Sequence, residues 1–375
     1  MKSASRGAVS VHQTIAGIGR EAWETASASY GNPFISYDFL DILEESGCVA
    51  PRTGWSPCHL AAPGGVMPLY AKTHSQGEYV FDHAWADAYE RAGGRYYPKL
   101  LSASPFSPVT GPRLLGEPEA RPLLLGAAVQ LCEHLGASSL HVNFTDEADW
   151  RFLGEQGLLR RQDVQYHWAN AGYATFEDFL ADLSANRRKI IRRERREAQA
   201  GLDIQAFTGK AITEAHWDAF FAFYMDTGGR KWGRPYLNRA FFSMLGERMG
   251  DKVLLLLAGR DGRWIAGALN LIGADCLYGR HWGCVEHVDF LHFELCYYQA
   301  IEWAIDHGLP RVEAGAQGQH KIARGYLPKP VYSAHFIADP ALREPVARYL
   351  DQERRAVDQE MNLLAEAYSP FREPN

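Results

Sequence analysis

The sequence has no run of about 18 apolar residues, the length that a helix needs to cross a membrane. Its first residues, MKSASRGAVSVHQTIAGIG, lack the continuous apolar core and the cleavage site of a signal peptide. The six cysteines are scattered and form no CxxC pair, so we expect reduced and mostly buried thiols rather than disulfides. Together these absences predict a cytoplasmic protein without a membrane span.

An excess of positive charge is also missing. The formal net charge is −6 at pH 7, which argues against a protein that coats nucleic acid in bulk but leaves room for a local basic patch. Apolar residues make up 46% and charged residues 22% of the chain, as in ordinary globular proteins. A length of 375 residues suits two domains of about 150 to 200 residues each.

The order of apolar segments and turn signals is similar in the two halves of the chain. In each half, a hairpin signal is followed by an amphipathic helix that ends at a glycine and then by a strand. In the first half, after a helix 36–46 with Ser36 as its N-cap, these segments are the hairpin at Pro63-Gly64-Gly65, the helix 121–136 and the strand 138–144. In the second half they are the hairpin at Asp261-Gly262 within 253–273, a third strand 275–283, the helix 290–308 and the strand 311–316. We therefore predict a diverged internal repeat of about 170 residues, with an N-terminal domain at 1–170 and a C-terminal domain at 171–375.

Between the two halves, the segment 175–201 has apolar residues at helical spacing and is predicted to be one helix that ends at Gly201. Its second part has seven basic residues within 187–196. The candidates for binding the phosphates of a donor substrate are Arg187, Arg188, Arg192 and Arg195. Helical spacing places the last three of them on one face. The alternative is a solvated helix face that two glutamates neutralise in part.

Six segments of the chain resemble one bacterial protein family in both their residues and their order. They are FDHAWADAYERAGGRYYPKL (81–100), PFSPVTGPRLL (105–115), NRRKIIRRERREA (186–198), LYGRHWG (277–283), LHFELCYYQAIEWAI (291–305) and EAGAQGQHKIARGY (313–326). The family is that of the FemAB-like predicted N-acyltransferases, which are associated with peptidoglycan biosynthesis or recognition. The resemblance extends over roughly residues 30 to 372.

The resemblance implies two tandem GNAT-like domains of the α/β class, each a mixed, mostly antiparallel sheet flanked by helices. It also implies an enzyme that transfers an acyl group to an amine. Characterised relatives take an aminoacyl group from aminoacyl-tRNA and attach it to a peptidoglycan precursor. For this chain, the resemblance therefore implies an aminoacyl or acyl donor, with tRNA as a candidate partner, and a peptide-like or small-molecule acceptor.

The sequence lacks the glycine-rich loop that holds the pyrophosphate of coenzyme A in acetyl-CoA enzymes, where backbone N–H groups at a helix start bind phosphate. The connection CVEHVDFLHFE (284–294) contains no glycine, and Glu286, Asp289 and Glu294 add negative charge. This favours aminoacyl-tRNA over acyl-CoA as the donor, and we expect no tightly bound cofactor. Two alternatives stay open: an acyltransferase that uses acyl-CoA or an acyl carrier protein, and a non-catalytic recognition module.

Amide formation needs a group that accepts the proton of the attacking ammonium and a group that stabilises the oxyanion. Glu313, at the end of a predicted strand, and Glu294, early in a predicted helix, are the candidate catalytic proton acceptors. His292 lies two residues before Glu294 and does not share a helix face with it. Because the spacing also differs from HExxH, we predict no metal site and assign His292 to substrate binding.

Tyr278, Arg280 and Trp282 alternate along a predicted strand, so simple alternation places all three on one face. A cation between two aromatic rings suits a carboxylate, a phosphate or a base. We predict that these three side chains bind substrate. The alternative for Arg280 is an ion pair with Glu313 across adjacent strands.

The segment 313–326 combines small residues with basic ones. Its glycines do not match G-x-G-x-x-G and they follow a predicted strand, so a nucleotide-binding fingerprint is disfavoured. His320 and Lys321 are predicted to act in catalysis, by neutralising a phosphate or by polarising a carbonyl. The residues of this segment predicted to bind substrate are Gln317, Arg324 and Tyr326. The alternative is a surface turn with solvated basic side chains.

Overall fold

The computed structural model describes residues 8–232, 235–315 and 318–372. The chain divides into two compact units. The first unit runs to Asp163 and also takes Pro330–Asp358, whereas the second comprises Val164–Lys329 and the chain from Gln359 onward. The sequence-based division between residues 170 and 171 did not anticipate the return of Pro330–Asp358 to the first unit.

The strands are numbered here in chain order. They are β1 (Ser10–His12), β2 (Trp55–Pro57), β3 (His59–Ala62), β4 (Gly65–Met67), β5 (Tyr70–Lys72), β6 (Lys99–Ser102), β7 (Leu115–Gly116), β8 (Ser139–Thr145), β9 (Leu159–Ala169), β10 (Asp203–Phe207), β11 (Val253–Arg260), β12 (Arg263–Ile272), β13 (Cys276–Cys284), β14 (Arg311–Glu313) and β15 (Leu327–Ile337).

The α-helices are numbered in the same way. They are α1 (Ile15–Ile18), α2 (Arg20–Ser27), α3 (Tyr37–Glu45), α4 (His83–Arg91), α5 (Ala120–His134), α6 (Glu147–Glu155), α7 (Phe176–Asp182), α8 (Ala185–Gln199), α9 (Glu214–Trp232), α10 (Arg239–Met249), α11 (Leu291–Phe293), α12 (Gln299–Asp306) and α13 (Pro340–Tyr368). A π-helical segment, Glu294–Tyr298, joins α11 to α12, and a 3-10 helix, Gln319–Arg324, follows β14. Within the described residues, no helix combines the length and the apolar character that a membrane span requires.

The first unit contains two sheets. One has the order β1–β3–β4–β7 with antiparallel neighbours, and the other has the order β15–β8–β6–β5–β2, in which β6 and β8 run parallel. The hairpin predicted at Pro63-Gly64-Gly65 is confirmed as β3–β4. Because Pro68 has no N–H to continue the ladder, the chain leaves β4 and enters the second sheet as β5. Helix α5 packs on this unit's apolar core, which includes Leu100, Leu124 and Leu140.

The second unit contains one sheet with the order β10–β11–β12–β13–β14–β9. Strands β13 and β14 run parallel, and the other neighbours are antiparallel. The predicted hairpin β11–β12 turns at Asp261, with φ 52°, and Gly262, with φ 72°, the pair of left-handed residues that a type I′ turn requires. On one side of this sheet, Leu277 and Val312 pack with Ile301 of α12 in the core of the unit.

Both units contain two parallel neighbouring strands joined by a helical connection, which is the predicted repeat. The first unit has β6, α5 and β8, and the second has β13, the helix from α11 to α12, and β14. A long antiparallel strand extends each pair: β15 lies beside β8, and β9 lies beside β14. Strand β9 follows β8 of the first unit in the chain but pairs in the second unit. Strand β15 follows β14 of the second unit but pairs in the first. This exchange explains why Pro330–Asp358 belongs to the first unit.

The prediction of one helix over 175–201 was wrong. The segment forms α7, which starts with a capping box between Thr175 and Asp178, and α8, which starts two residues after an extended Leu183 with ψ 157°. Leu183 is fully buried in the core of the unit, and it bridges to Phe371. The apolar spacing across the break reflects burial of Leu183 rather than one continuous helix.

Candidate active site

A cleft of the second unit begins where β13 and β14 stop pairing. The two strands pair in parallel over three residues and end with Tyr278 opposite Glu313. Strand β14 stops there, shorter than the predicted 311–316, whereas β13 continues to Cys284 alongside β12. Separation of two parallel strands leaves an opening at their carboxyl ends that a substrate can enter.

A β-bulge widens this opening. Asn270 of β12 lies opposite Gly279, and Leu269 lies opposite His281, so Arg280 is an extra residue in β13. The expectation that Tyr278, Arg280 and Trp282 share one face by simple alternation was therefore wrong, because the bulge resets the alternation between them. Arg280 and Trp282 line the cleft, whereas Tyr278 is 1% exposed in the sheet.

The cleft encloses about 420 Å³ including its open mouth. Its described lining is Ala268, Leu269, Asn270, Gly279, Arg280, His281, Trp282, His292, Cys296, Tyr297, Ala314 and Gly315. Trp282 and His292 contact each other edge to face, with ring centroids 5.3 Å apart. Both also line a second groove of about 570 Å³ beside the start of α11. The predicted assignment of His292 and Trp282 to substrate binding is consistent with these positions.

Gly279 lets the end of β14 approach the cleft floor. A Cβ atom built on Gly279 would lie 3.3 Å from the carbonyl oxygen of Glu313, 3.4 Å from Asn270 Oδ1 and 3.6 Å from Cα of Ala314. A Cβ atom would therefore be in close contact with both neighbouring strands and would need a shift of a few tenths of an ångström. The glycine lets β13 and the end of β14 lie close together at the point where they separate.

Glu313 is the last residue of β14 and immediately precedes Ala314, which lines the cleft. It is 3% exposed, its Oε1 atom has no hydrogen-bond partner among the described residues, and Arg311 Nη1 lies 3.5 Å from the same oxygen. Burial raises the pKa of the Glu313 carboxyl to about 7, against the opposing effect of the guanidinium groups of Arg311 and Arg280. A carboxyl with this pKa changes its charge near neutral pH, as a general base must.

The raised pKa of Glu313 has a consequence for stability. Between its ordinary value of 4.5 and about 7, the folded protein keeps a proton that the unfolded chain releases, so stability falls as pH rises through this window. Glu313→Gln removes the titration. We expect the free energy of unfolding of the variant to equal that of the wild type near pH 4 and to exceed it by roughly 3 kcal/mol at pH 8.

Urea denaturation at both pH values measures this difference. Glu197→Gln is the control, because Glu197 is an exposed residue of α8 and its loss should change stability little at either pH. Equal stabilities of the wild type and Glu313→Gln at pH 8 would show that the two arginines fully compensate the burial of the carboxylate.

Lys321 reaches the cleft through a hydrogen bond to one of its lining residues. Its side chain is 3% exposed, and its Nζ atom donates to the carbonyl oxygen of Gly315, which lines the cleft, at 2.9 Å. The pKa of the Lys321 ammonium is lowered to about 8, mainly by burial, with Cys296 opposing the shift and the charge of Arg280 adding to it. The residue is therefore neither a solvated surface lysine nor one locked in a buried ion pair.

His320 lies next to three aromatic side chains. Its Nε2 atom is 3.0 Å from the Tyr297 hydroxyl, and its ring centroid is 5.8 Å from that of Phe293 and 6.5 Å from that of His292. Partial burial, together with Arg324 and Lys321, lowers the pKa of His320. A neutral imidazole in this position can exchange a proton with the Tyr297 hydroxyl beside the cleft.

Glu294, one of the two predicted proton acceptors, lies elsewhere. It is fully buried in the π-helical segment and accepts hydrogen bonds from Arg195 Nη2 at 3.1 Å, from Gln199 Nε2 at 2.8 Å and from Gln299 Nε2 at 2.8 Å. These donors surround the carboxylate inside the fold, and Glu294 is not among the described residues that line the cleft. The structure therefore argues against the predicted catalytic role of Glu294 and gives it a structural one.

The remaining predictions in the segment 313–326 have separate outcomes. Tyr326 is fully buried and donates to the carbonyl oxygen of Tyr297 at 3.3 Å, so it supports the cleft wall rather than lining it. Arg324 is 8% exposed and forms an ion pair with Glu194, so the structure argues against a substrate-binding role for both residues. Gln317 lies outside the described residues.

The four arginines predicted to bind phosphate do not act as one surface. Arg195 points inward to Glu294 and Glu302, and Arg188 donates to the last carbonyls of α7, Leu180 among them, at 3.3 to 3.4 Å. The outward face of α8 is nevertheless basic. Its residues are Arg187, which is half-buried, and the exposed Lys189, Arg192, Arg193 and Arg196. Arg192 pairs there with Glu177, and Arg193 lies 3.8 Å from Glu197, so the acidic partners offset only part of the charge.

Several residues in or beside the cleft were not predicted from the sequence. Asn270 is 1% exposed and interrupts an apolar strand. A polar residue within a buried apolar run can be recognised in a sequence as a candidate site residue, because its burial is costly without a partner. Cys296 and Tyr297 give no such signal, because the apolar spacing of the predicted helix 290–308 is equally consistent with two ordinary core residues. His167 lies opposite Glu313 on β9, where burial and the charge of Arg311 lower its pKa to about 3.

Comparison with solved structures defines the fold class. FemX aligns with a TM-score of 0.55 at 12% identity, over 90% of this chain and 99% of its own. L-PGS from Bacillus licheniformis aligns with a TM-score of 0.50 at 10% identity, over 86% of this chain and 98% of its own. At these identities the likeness concerns the fold alone. No curated protein sequence matches the chain.

The fold is that of the predicted α/β class, with two tandem GNAT-like units. The protein is an acyltransferase. The chain belongs to the FemAB-like family, described as peptidoglycan biosynthesis/recognition, whose model matches residues 14–373. The resemblance noted in the sequence is thereby confirmed over nearly its whole length.

Proposed function

We propose that the cleft of the second unit transfers an aminoacyl group from aminoacyl-tRNA to an amine of a peptide-like acceptor, such as a peptidoglycan precursor. The observation that carries the proposal is the placement of Glu313 and Lys321. Two ionisable side chains with pKa values displaced toward neutrality flank the point where two parallel strands separate, which is a signature of acid–base chemistry. Because charged tRNA and cell-wall precursors are made in the cytoplasm, the proposal places the reaction there.

The proposed reaction uses three side chains. Glu313 accepts a proton from the acceptor ammonium, and the resulting amine attacks the ester carbonyl of the donor. The cationic groups of Lys321 and Arg280 stabilise the oxyanion of the tetrahedral intermediate. The ester C–O bond then breaks as the second proton of the attacking nitrogen passes to the leaving oxygen of the donor, an amide remains on the acceptor, and Glu313 releases the first proton to solvent.

The start of α11 supports tRNA rather than coenzyme A as the donor carrier. The residue before the helix is Phe290, with φ 62°, where acetyl-CoA enzymes have glycines. Glu286 and Asp289 lie beside it, and Glu286 is held by Arg260. Backbone N–H groups bind a pyrophosphate best where glycines allow close approach and acidic side chains are absent. The basic outward face of α8, by contrast, suits the phosphates of a nucleic acid.

Binding of tRNA is therefore expected to depend on the outward face of α8. The double variant Arg192→Glu/Arg196→Glu should weaken the affinity by about tenfold or more in about 0.1 M salt, and should reduce the salt dependence by the equivalent of one or two phosphate contacts. Filter binding of total tRNA over a salt series measures both. Lys252→Glu is the matched control, because Lys252 is an exposed cation of the same unit on another element. Equal losses in both variants would indicate only a nonspecific effect of charge.

The function itself is tested by product formation. The purified protein is incubated with a tRNA pool charged with labelled amino acids and with peptidoglycan precursor peptides, and a new amide is sought by mass spectrometry. The expected product is a precursor that has gained one aminoacyl residue. Thiol release from acyl-CoA in the presence of an amine would favour the CoA-dependent alternative. Acceptor binding without any covalent product would favour a recognition module.

A further inference from the structure

The two walls of the cleft are held by one helix, α8. Glu194 and Arg195 are consecutive residues on the inward side of α8, and both are largely buried, with side chains 7% and 15% exposed. Lys189 and Arg196 of the same helix are exposed. The helix therefore has a basic outward face and an inward face with one carboxylate and one guanidinium.

Glu194 binds the wall that carries His320 and Lys321. Its two carboxylate oxygens accept hydrogen bonds from Arg324 Nη2 at 2.8 and 3.0 Å, and it also accepts one from the Tyr298 hydroxyl. The other end of the Arg324 guanidinium donates to the carbonyl oxygen of His320 at 2.9 Å. A chain of hydrogen bonds therefore runs from α8 to the backbone of the 3-10 helix Gln319–Arg324.

Arg195 binds the π-helical segment Glu294–Tyr298. It forms ion pairs with Glu294 at 3.1 Å and with Glu302 at 2.5 Å. Glu294 is the first residue of the π-helical segment that places Cys296 and Tyr297 in the cleft. A π-helical turn has weaker backbone hydrogen bonding than an α-helix and needs support from side chains or packing.

We propose that Glu194 and Arg195 are positioning residues of the cleft: Glu194 fixes the 3-10 helix that carries His320 and Lys321, and Arg195 fixes the π-helical segment that carries Cys296 and Tyr297. The proposal rests on the cleft being the site of transfer. The alternative is that both ion pairs contribute only to global stability. The two alternatives predict different local changes in a folded variant in which one partner of an ion pair has lost its charge. Only the first predicts altered surroundings for Lys321 and faster amide exchange in the two segments.

The local environment of Lys321 reports on the position of its wall without any substrate. Trace acetylation with acetic anhydride over a pH series, followed by mass spectrometry of the peptide that contains Lys321, gives the pKa of its amine. In Glu194→Gln, the 3-10 helix loses its charged anchor and Lys321 becomes more hydrated. We expect its pKa to rise by about one unit or more, toward the ordinary value, because burial is the main cause of the shift.

Amide hydrogen exchange gives a second, independent measurement. In Glu194→Gln, exchange over residues 319–325 should become about tenfold faster or more. Arg195→Gln should have the same effect over residues 294–298. The matched control is Glu197→Gln, the same substitution one turn further along α8 at an exposed position. It should leave the pKa of Lys321 and both exchange rates at their wild-type values.

Wild-type values of the Lys321 pKa and of both exchange rates in folded Glu194→Gln and Arg195→Gln would overturn the proposal. If Glu194→Gln does not fold, Arg324→Lys decides for the 3-10 helix, because a lysine keeps the cation but cannot donate both to Glu194 and to the carbonyl oxygen of His320. Arg195→Lys serves in the same way for the π-helical segment. These measurements require no donor or acceptor, so they are separate from the proposed function, which fails if no amide product is formed.

Discussion

Lys99→Met is expected to lower the free energy of unfolding by about 3 to 5 kcal/mol, because it leaves two buried carboxylates of the first unit without their cation. The Lys99 side chain is fully buried. Its Nζ atom donates to Ser75 Oγ and Glu78 Oε2, both at 2.7 Å, and to Asp82. Although burial disfavours its charge, the two carboxylates outweigh this effect and raise the pKa of Lys99 above its ordinary value. The ammonium is therefore charged when the substitution removes it.

Lys72→Met provides a matched control. Lys72 lies directly opposite Lys99 in the β5–β6 ladder and is equally buried, but its Nζ atom is 3.7 Å from Glu78 and 3.7 Å from the centroid of the Trp55 ring. Burial lowers the pKa of Lys72 to about 7, so most of its charge is already absent in the folded protein at pH 8. We expect Lys72→Met to change stability by no more than about 1 kcal/mol.

Urea denaturation of both variants at pH 8 measures the difference. A similar loss for Lys72→Met and Lys99→Met would show that the two lysines act through packing of their aliphatic parts rather than through charge. A loss confined to Lys99→Met would show that one ion pair network, centred on Lys99, holds the segment with Glu78 and Asp82 on the sheet of the first unit.

The sequence could predict the elements whose signals are local. Ser36 accepts a hydrogen bond from the backbone of Phe39 as the predicted N-cap, α5 ends just before Gly136 with φ 59°, and Asp261-Gly262 forms the predicted turn. In each case one or two residues with restricted backbone or hydrogen-bonding chemistry determine the local geometry. The buried charges around Lys99 gave no such signal, because a lysine at a strand start is usually solvated.

The sequence could not predict features that depend on contacts between distant residues. The break before α8 follows from burial of Leu183, and the exchange of β9 and β15 follows from pairing with strands far away in the chain. Helical spacing and strand alternation predict which side chains share a face only if the helix or strand is continuous. A bulge or a break changes the face of every residue that follows it.

The same limit applies to the candidate site. The segment 313–326 is singled out by its composition; in the structure Lys321 donates to Gly315, which lines the cleft, and Glu313 precedes the lining residue Ala314. Glu294 and Arg195 were assigned to different ligands because each was considered alone, whereas in the structure they neutralise each other. A charged residue in a helix or strand can be assigned to a ligand only after its partners within the fold are known.

Lys321→Met is expected to lower kcat/KM for acyl transfer by about 10² to 10³, which is the usual effect of removing one group that stabilises an oxyanion. The methionine preserves much of the aliphatic volume, so the cleft floor should keep its shape. Lys252→Met is the matched control, because it makes the same substitution at an exposed lysine of the same unit. If both variants retain wild-type kcat/KM, the oxyanion is stabilised elsewhere in the site.

The pH dependence of the wild type separates the roles of Lys321 and Glu313. Transfer requires the ionised Glu313 carboxylate, so kcat/KM should rise as pH increases through about 7. It also requires the protonated Lys321 ammonium, so kcat/KM should fall as pH increases through about 8. The expected profile is a narrow bell between these two values. Lys321→Arg should remove the alkaline limb, because a guanidinium stays protonated, and Glu313→Gln should remove the acid limb along with most of the activity. Each substitution should abolish a different limb of the profile. A wild-type profile that is flat from pH 6 to 9 would contradict both assignments. If only one of the two variants loses its limb, only the residue changed in that variant controls the pH dependence.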